Sequence, residues 1–244
     1  SSALYKLGRY DEALECYDKV LEIDNEWINL DAWYNKSFWL YFLSPLTFIF
    51  SAVVRWRKNS YAKNPSKVWN SDVPIVVVGN ITMGGTGKTP LVKHIASELK
   101  ERGYKPGLVS RGYGGKFSGT LEVSKETTFK QTGDEAQLLS KLQIPFFIDK
   151  DRSRAARTLQ EKYDCDVIIS DDGLQHYKMD RKVEIAVIDG VRRLGNGMAF
   201  PAGPLREPKG RLKEVDFIVN NGGPTEADEI LVTLNPAKFV HLNS

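Results

Sequence analysis

The chain has 244 residues, about 41% of them apolar and 27% charged, and its formal net charge is +3. That balance belongs to a folded protein, and so small a charge makes no case for nucleic acid as a partner. Cys16 and Cys165 lie too far apart for a metal spacing or a disulfide framework, which suits a reducing compartment. The chain opens without Met, inside a helical pattern, and reads as a fragment or a processed piece.

Residues 1–37 carry Leu7, Gly8, Tyr10, Ala13, Tyr17, Val20 and Leu21 in the helix–turn–helix pattern of a tetratricopeptide repeat. Gly8 falls at the turn between the two helices, and Ala13 lets them pack closely. The run Asp31-Ala32-Trp33-Tyr34-Asn35 resembles the opening of a second repeat that breaks off. A single amphipathic helix is the plainer alternative. One partial repeat cannot build the continuous core that about three stacked repeats provide.

Residues 38–58 form the next zone, and Phe38–Val54 carries no charge over about 17 residues. That length is at the lower limit for crossing a bilayer core of roughly 30 Å. Trp39 and Trp56 lie near its ends, and Arg55, Arg57, Lys58, Lys63 and Lys67 follow. Aromatic anchors beside a basic flank suit a membrane–water interface on its cytoplasmic side. The segment is therefore expected to be a membrane-associated helix, either spanning or lying on the surface. A buried core helix is the alternative. Pro45 argues against an undisturbed helix, because proline removes a backbone donor.

From residue 73 to 244, short apolar runs alternate with helical stretches. Strands are expected at Pro74–Gly79, Gly107–Ser110, Pro145–Ile148, Val167–Ser170, Ile185–Asp189 and Phe217–Asn220. Helical spacing covers Leu91–Arg102, Glu135–Leu142 and Arg152–Tyr163. Continuous apolar strands between helices imply an α/β fold, a parallel sheet of P-loop NTPase type with helices on both faces.

The apolar strand Ile75–Gly79 runs into Thr82-Met83-Gly84-Gly85-Thr86-Gly87-Lys88-Thr89 and then a helix. Glycines let the backbone turn tightly and bring N–H groups onto phosphate oxygens. The helix start adds unpaired N–H groups and partial positive charge. Lys88 would reach the β/γ-phosphates of ATP, and the Thr89 hydroxyl would ligate Mg2+. Thr82 stands where the strict pattern has Gly, so the loop is a variant.

Asp171 and Asp172 end the run Asp166-Val167-Ile168-Ile169-Ser170, at the sheet edge where ligands bind. An Asp there can hold the magnesium bridging the phosphates, or cap a following helix. Asp134, in Thr132-Gly133-Asp134-Glu135-Ala136, could cap its helix or act as general base on an attacking hydroxyl. Arg111 follows a strand and could meet an anion or simply sit in a flexible glycine-rich loop, and Arg206 is a second Arg placed after another strand. His176 and His94 have no zinc-type spacing and read as structural.

Taken together, the runs VVVGNITMGGTGKTP, GLVSRGYGGK, GDEA, DDGLQH, VIDGVRRLGNG and PAGPLRE closely resemble the tetraacyldisaccharide 4'-kinases of lipid A biosynthesis. The resemblance spans roughly residues 38–225. It implies transfer of the ATP γ-phosphate to the 4'-hydroxyl of an acylated glucosamine disaccharide 1-phosphate, at the cytoplasmic face of the bacterial inner membrane. It implies that Asp134 acts on the acceptor hydroxyl and that Asp171 and Asp172 serve the metal and phosphate site. It also places Arg206 and Glu207 near the reacting phosphates. A lipid substrate would explain the apolar segment, which would hold the site against the bilayer.

Residues 1–37 have no expected counterpart in that family. The family also continues into a second lobe, whose His pairs with the catalytic Asp. His241 lies in no matching motif and is not given that role. The chain as it stands is therefore expected to bind Mg-ATP and transfer phosphate poorly. Two rival readings are a partitioning-type ATPase, which would have Lys where Met83 stands, and a repeat-based adaptor with a nucleotide switch.

Overall fold

The computed structural model describes residues 33–34 and 38–234. The tetratricopeptide pattern of residues 7–21 lies outside the described residues. A 3-10 turn over Phe38–Leu43 leads into helix α1, Ser44–Lys63. Pro45 sits in the first turn of α1, where the missing N–H would have had no partner anyway. The proline therefore starts the helix and does not disturb it, contrary to the expectation from sequence. No helix among the described residues is long and apolar enough to cross a membrane. Instead α1 is two-sided: Phe50 and Val54 are buried, while Leu46, Phe48 and Ile49 are exposed.

The remainder is a single eight-stranded sheet: β1 Ile75–Gly79, β2 Pro106–Ser110, β3 Leu121–Glu122, β4 Phe146–Ile148, β5 Val167–Asp171, β6 Val183–Asp189, β7 Phe217–Asn221 and β8 Glu229–Val232. Its order is β3-β4-β2-β5-β1-β6-β7-β8. Every neighbouring pair is parallel except β3 with β4. The helices are α2 Lys88–Glu101, α3 Phe129–Thr132, α4 Asp134–Ser140 and α5 Arg152–Lys162. The six expected strands are present. The two additional ones, β3 and β8, occupy the sheet's two edges, where short strands leave little apolar signal.

Strand side chains alternate between faces, and the two cores divide accordingly. Val77, Val109, Phe147 and Ile168 pack with Phe50 and Val54 of α1 and with Ala155, Ala156 and Leu159 of α5. Their neighbours Val78, Leu108, Ile148 and Ile169 pack with Leu91, Val92 and Ala96 of α2 and with Ala136 and Leu139 of α4. Burial on both faces is why these strands read as unbroken apolar runs. A Cβ at Gly107 would come within 2.6 Å of Leu159 Cδ2, so this glycine lets α5 approach the sheet. Truncating Leu159 to Ala would cost about 2–5 kcal/mol.

Register fixes the site. Strand β1 lies between β5 and β6, with Val78 opposite Asp171 and Gly79 opposite Ala186. The loop leaving β1 therefore emerges beside the aspartates that end β5, at the carboxyl edge where a parallel sheet binds ligands.

Candidate active site: a phosphate loop facing two aspartates

The glycine-rich loop turns through left-handed positions at Gly84 (φ 96°) and Gly87 (φ 89°), the latter capping α2. Only glycine takes these angles cheaply. The loop is anchored at its start by the segment around Leu205. Met83 N donates to Pro204 O at 2.7 Å, Arg206 N donates to Ile81 O at 2.7 Å, and Thr82 bridges to Leu205. Met83 packs its side chain against Trp33 and Leu40. Thr82 and Met83 are thus buried anchors, whereas Gly84, Gly85, Gly87, Lys88 and Thr89 of the predicted loop keep some exposure and Thr86 is buried.

Asp171 is 1% exposed, and its Oδ1 has no hydrogen-bond partner. Burial, followed by the charge of Asp172, pushes its pKa up to about 7. Asp172 adopts a positive φ of 49°. Its Oδ1 is 3.3 Å from Lys88 Nζ and its Oδ2 is 3.1 Å from Arg206 Nη1. Arg152 Nη2 donates to its carbonyl at 2.8 Å. Burial works against its charge, yet Lys88, then Arg206 and Arg152, hold its carboxyl well below the usual range. Two adjacent carboxylates are thereby driven apart in acidity, a pattern found where charge chemistry is done.

Thr86 Oγ1 and Ser170 Oγ are also buried without a partner. Thr86 and Asp171 thus bring unsatisfied oxygens to the loop and to the strand end beside it, and a buried polar atom left unpaired is costly. No cluster of three or more His, Cys, Asp or Glu side chains among the described residues forms a cage for a metal. Mg2+ bound with nucleotide needs no cage, since one or two carboxylates suffice beside phosphate and water. The donor set of Asp171, Asp172 and the Thr89 hydroxyl fits that requirement.

The other predicted residues separate. Asp134 is the exposed first residue of α4, Gly133 is the cap residue, and no side chain makes a capping bond there. A Cβ at Gly133 would lie 1.9 Å from Tyr113 O, so the 112–115 and 132–135 loops meet backbone to backbone. The neighbouring Glu135 is close enough for its charge to raise the pKa of Asp171. Glu207, 1% exposed, is engaged beneath the loop: it accepts from Gln175 Nε2 at 2.8 Å and from Tyr177 Oη, with Arg211 Nε at 3.5 Å. Arg206 is therefore the member of that pair that reaches Asp172.

His176 Nε2 lies 3.3 Å from Ser153 Oγ and 3.5 Å from Asp151 Oδ1, and burial lowers its pKa to about 4. His94 is exposed on α2. Sequence reasoning missed Arg152, Glu135 and Arg192 as parts of the site. In the sequence Arg152 reads only as a helix start, and Arg192, which donates to Gly85 O of the loop, carries no signal beyond its place in VIDGVRRLGNG.

The sequence model of the tetraacyldisaccharide-1-P 4'-kinases matches residues 39–243. The chain belongs to this family. A tetraacyldisaccharide 4'-kinase of Shewanella denitrificans is 44% identical over 219 residues, covering 89% of this chain and 66% of that protein. A tetraacyldisaccharide 4'-kinase of Coxiella burnetii is 49% identical over 203 residues, covering 82% of this chain and 62% of that protein. The crystal structure of LpxK from Aquifex aeolicus in complex with ATP superposes with a TM-score of 0.70 at 29% identity, over 80% of this chain and 64% of that one. The chain thus spans about 62–66% of the length of these kinase relatives.

A tetratricopeptide-repeat model matches residues 2–26. Trp33 and Tyr34, expected to open a second repeat, pack onto the kinase fold. Trp33 Nε1 donates to Pro201 O at 3.1 Å and its ring meets Phe200 edge-on at 6.3 Å. The Tyr34 ring lies 5.8 Å from the Arg192 guanidinium. The 219-residue alignment likewise takes in part of the 1–37 segment, for which no family counterpart was expected.

Proposed function

We propose that this chain forms the nucleotide-binding part of an ATP-dependent lipid kinase, which transfers the γ-phosphate to the 4'-hydroxyl of an acylated glucosamine disaccharide 1-phosphate in lipid A biosynthesis. The observation that carries this reading is the convergence of Lys88 and Arg206 on Asp172, beside the orphaned oxygen of Asp171, at the mouth of the loop. Family membership supplies the acceptor.

In this reading the amides of the Gly84–Gly87 loop and the start of α2 bind the β- and γ-phosphates. Lys88 and Arg206 stabilise the charge that develops as the bond between the bridging oxygen and the γ-phosphorus breaks. Thr89, Asp171 and Asp172 would hold Mg2+, which when bound neutralises phosphate charge. Asp134 takes the proton of the 4'-hydroxyl as that oxygen bonds to the γ-phosphorus, and ADP leaves. The exposure of Asp134 suits a group that must meet an incoming acceptor.

A membrane-surface location is supported by the apolar patch of Phe38, Tyr41, Phe42, Leu46, Phe48 and Ile49, each more than half exposed. Basic residues Arg55, Arg57, Lys58 and Lys63 follow along α1. An apolar face followed by cations is suited to the interface of a bilayer with anionic headgroups, here the cytoplasmic face of the bacterial inner membrane. The decisive experiment incubates the protein with γ-labelled ATP, Mg2+ and the acylated disaccharide 1-phosphate in detergent. A labelled lipid bisphosphate supports the proposal. Nucleotide binding with no dependence of phosphate release on the lipid would point to an ATPase.

A further inference from the structure

Three consecutive carbonyls of the phosphate loop are each taken by a side chain from a different strand end. Asn80, just after β1, donates its Nδ2 to Gly84 O at 3.2 Å. Arg192, in the turn after β6, donates Nη2 to Gly85 O. Asn221, at the end of β7, donates Nδ2 to Thr86 O at 3.2 Å.

A trans peptide is planar, so its C=O and the next residue's N–H point in opposite directions. Holding the carbonyls of Gly84, Gly85 and Thr86 against the scaffold therefore turns the N–H groups of Gly85, Thr86 and Gly87 away from it. We propose that Asn80, Arg192 and Asn221 are positioning residues that preset these three amides for the phosphates. The inference rests on the reading that this loop binds nucleotide phosphates.

Each of the three residues is itself anchored, Arg192 through its side chain and the two asparagines through their backbone. Asp189 Oδ2 accepts from Arg192 Nε at 2.8 Å, and its Oδ1 accepts the N–H groups of Val191 at 3.0 Å and Arg192 at 2.8 Å. Tyr34 packs over the same guanidinium. The backbone carbonyl of Asn80 accepts from Gln175 Nε2 at 3.0 Å, and the backbone carbonyl of Asn221 accepts from Gly190 N at 3.1 Å. A Cβ at Gly87 would stand 2.4 Å from Asn221 Nδ2, so the loop is seated directly on this amide. A cradle whose donors already point inward loses less freedom when the anion arrives.

The test compares ADP, whose β-phosphate enters the loop, with AMP, which lacks it. Binding is measured by calorimetry for the wild type, Asn221→Ala, Arg192→Gln and Arg192→Lys. Amide exchange is followed at Gly85 to Gly87 in the free proteins. Loss of one such bond should weaken ADP roughly 3–10-fold and leave AMP within about twofold. Exchange at the three amides should speed up at an unchanged melting temperature, and Arg192→Lys should recover part of the loss. Arg192 is partly exposed, so Arg192→Gln serves even where Asn221→Ala folds badly. Equal losses for ADP and AMP, or unchanged ADP binding and exchange, would overturn the inference. A wild-type chain that binds neither nucleotide would overturn the nucleotide reading and this inference with it.

Discussion

Lys88 Nζ stands 3.3 Å from Asp172 Oδ1, so the loop lysine and the second aspartate after β5 form an ion pair across the carboxyl edge of the sheet. Arg206 shares the same carboxylate at 3.1 Å. A nucleotide would therefore meet two cations already placed and partly neutralised by one carboxylate. Lys88→Ala should lower phosphoryl transfer by at least about 10²–10³-fold, the usual cost of one transition-state donor. The fold should survive, because Lys88 opens α2 and contributes nothing to either core. Transfer to the acylated disaccharide is the readout, with circular dichroism as the control. A retained rate would place the reacting phosphate elsewhere.

Asp134→Asn separates a base from a helix-end charge. The side chain makes no capping bond, so its structural worth is limited to its charge near the start of α4. That is about 0.3–1 kcal/mol. As a base it is worth about 10²–10⁴-fold in turnover. Turnover should fall by that factor while ATP affinity and melting temperature barely move. A rate that stays constant while stability drops would assign the residue to the helix alone.

Phe42 and Phe48 are 76% and 74% exposed and contribute little to the folded core. Changing both to Ser should leave the melting temperature in place. Each buried Phe is worth about 1.5–3 kcal/mol, so vesicle binding should weaken on the order of 10²-fold or more. Co-sedimentation with anionic vesicles measures it. Equal binding by wild type and variant would remove this patch from the membrane contact.

Glu229 offers a pH test away from the active site. Hydrogen bonds from Arg193 lower its pKa to about 2 against the opposing effect of burial, helped by the Glu226 N–H and by Asn220. A depressed carboxylate contributes stability above its unfolded pKa, near 4.5, and loses it as pH falls toward 2. Glu229→Gln should therefore cost on the order of 1–3 kcal/mol at neutral pH. The two stability curves should converge between about pH 4.5 and 2. Denaturant titrations across that range decide it, and curves offset by a constant amount would show that the pair's ionisation does not matter.

The amino-acid sequence by itself determined the α/β class, the six central strands, the phosphate loop and the DDG aspartates. Those features are written locally: strands buried on both faces need continuous apolar runs, and a backbone that wraps phosphate needs glycine at positive φ. The same pattern displayed the apolar stretch before the loop. It did not display that Pro45 begins α1, or that one side of that helix joins the core while the other stays exposed.

Tertiary structure alone decided which charged residues meet. Arg152, Arg192 and Asn221 lie at the ends of or just after β4, β6 and β7, and only the sheet order β4-β2-β5-β1-β6-β7 brings those junctions to one edge. It likewise drew Glu207 under the loop, into contact with Gln175, Tyr177 and Arg211, and left Arg206 facing Asp172. The two residues are adjacent, so no local pattern distinguishes them. A side chain's partner is set by strand register and burial, which act between segments far apart in the chain.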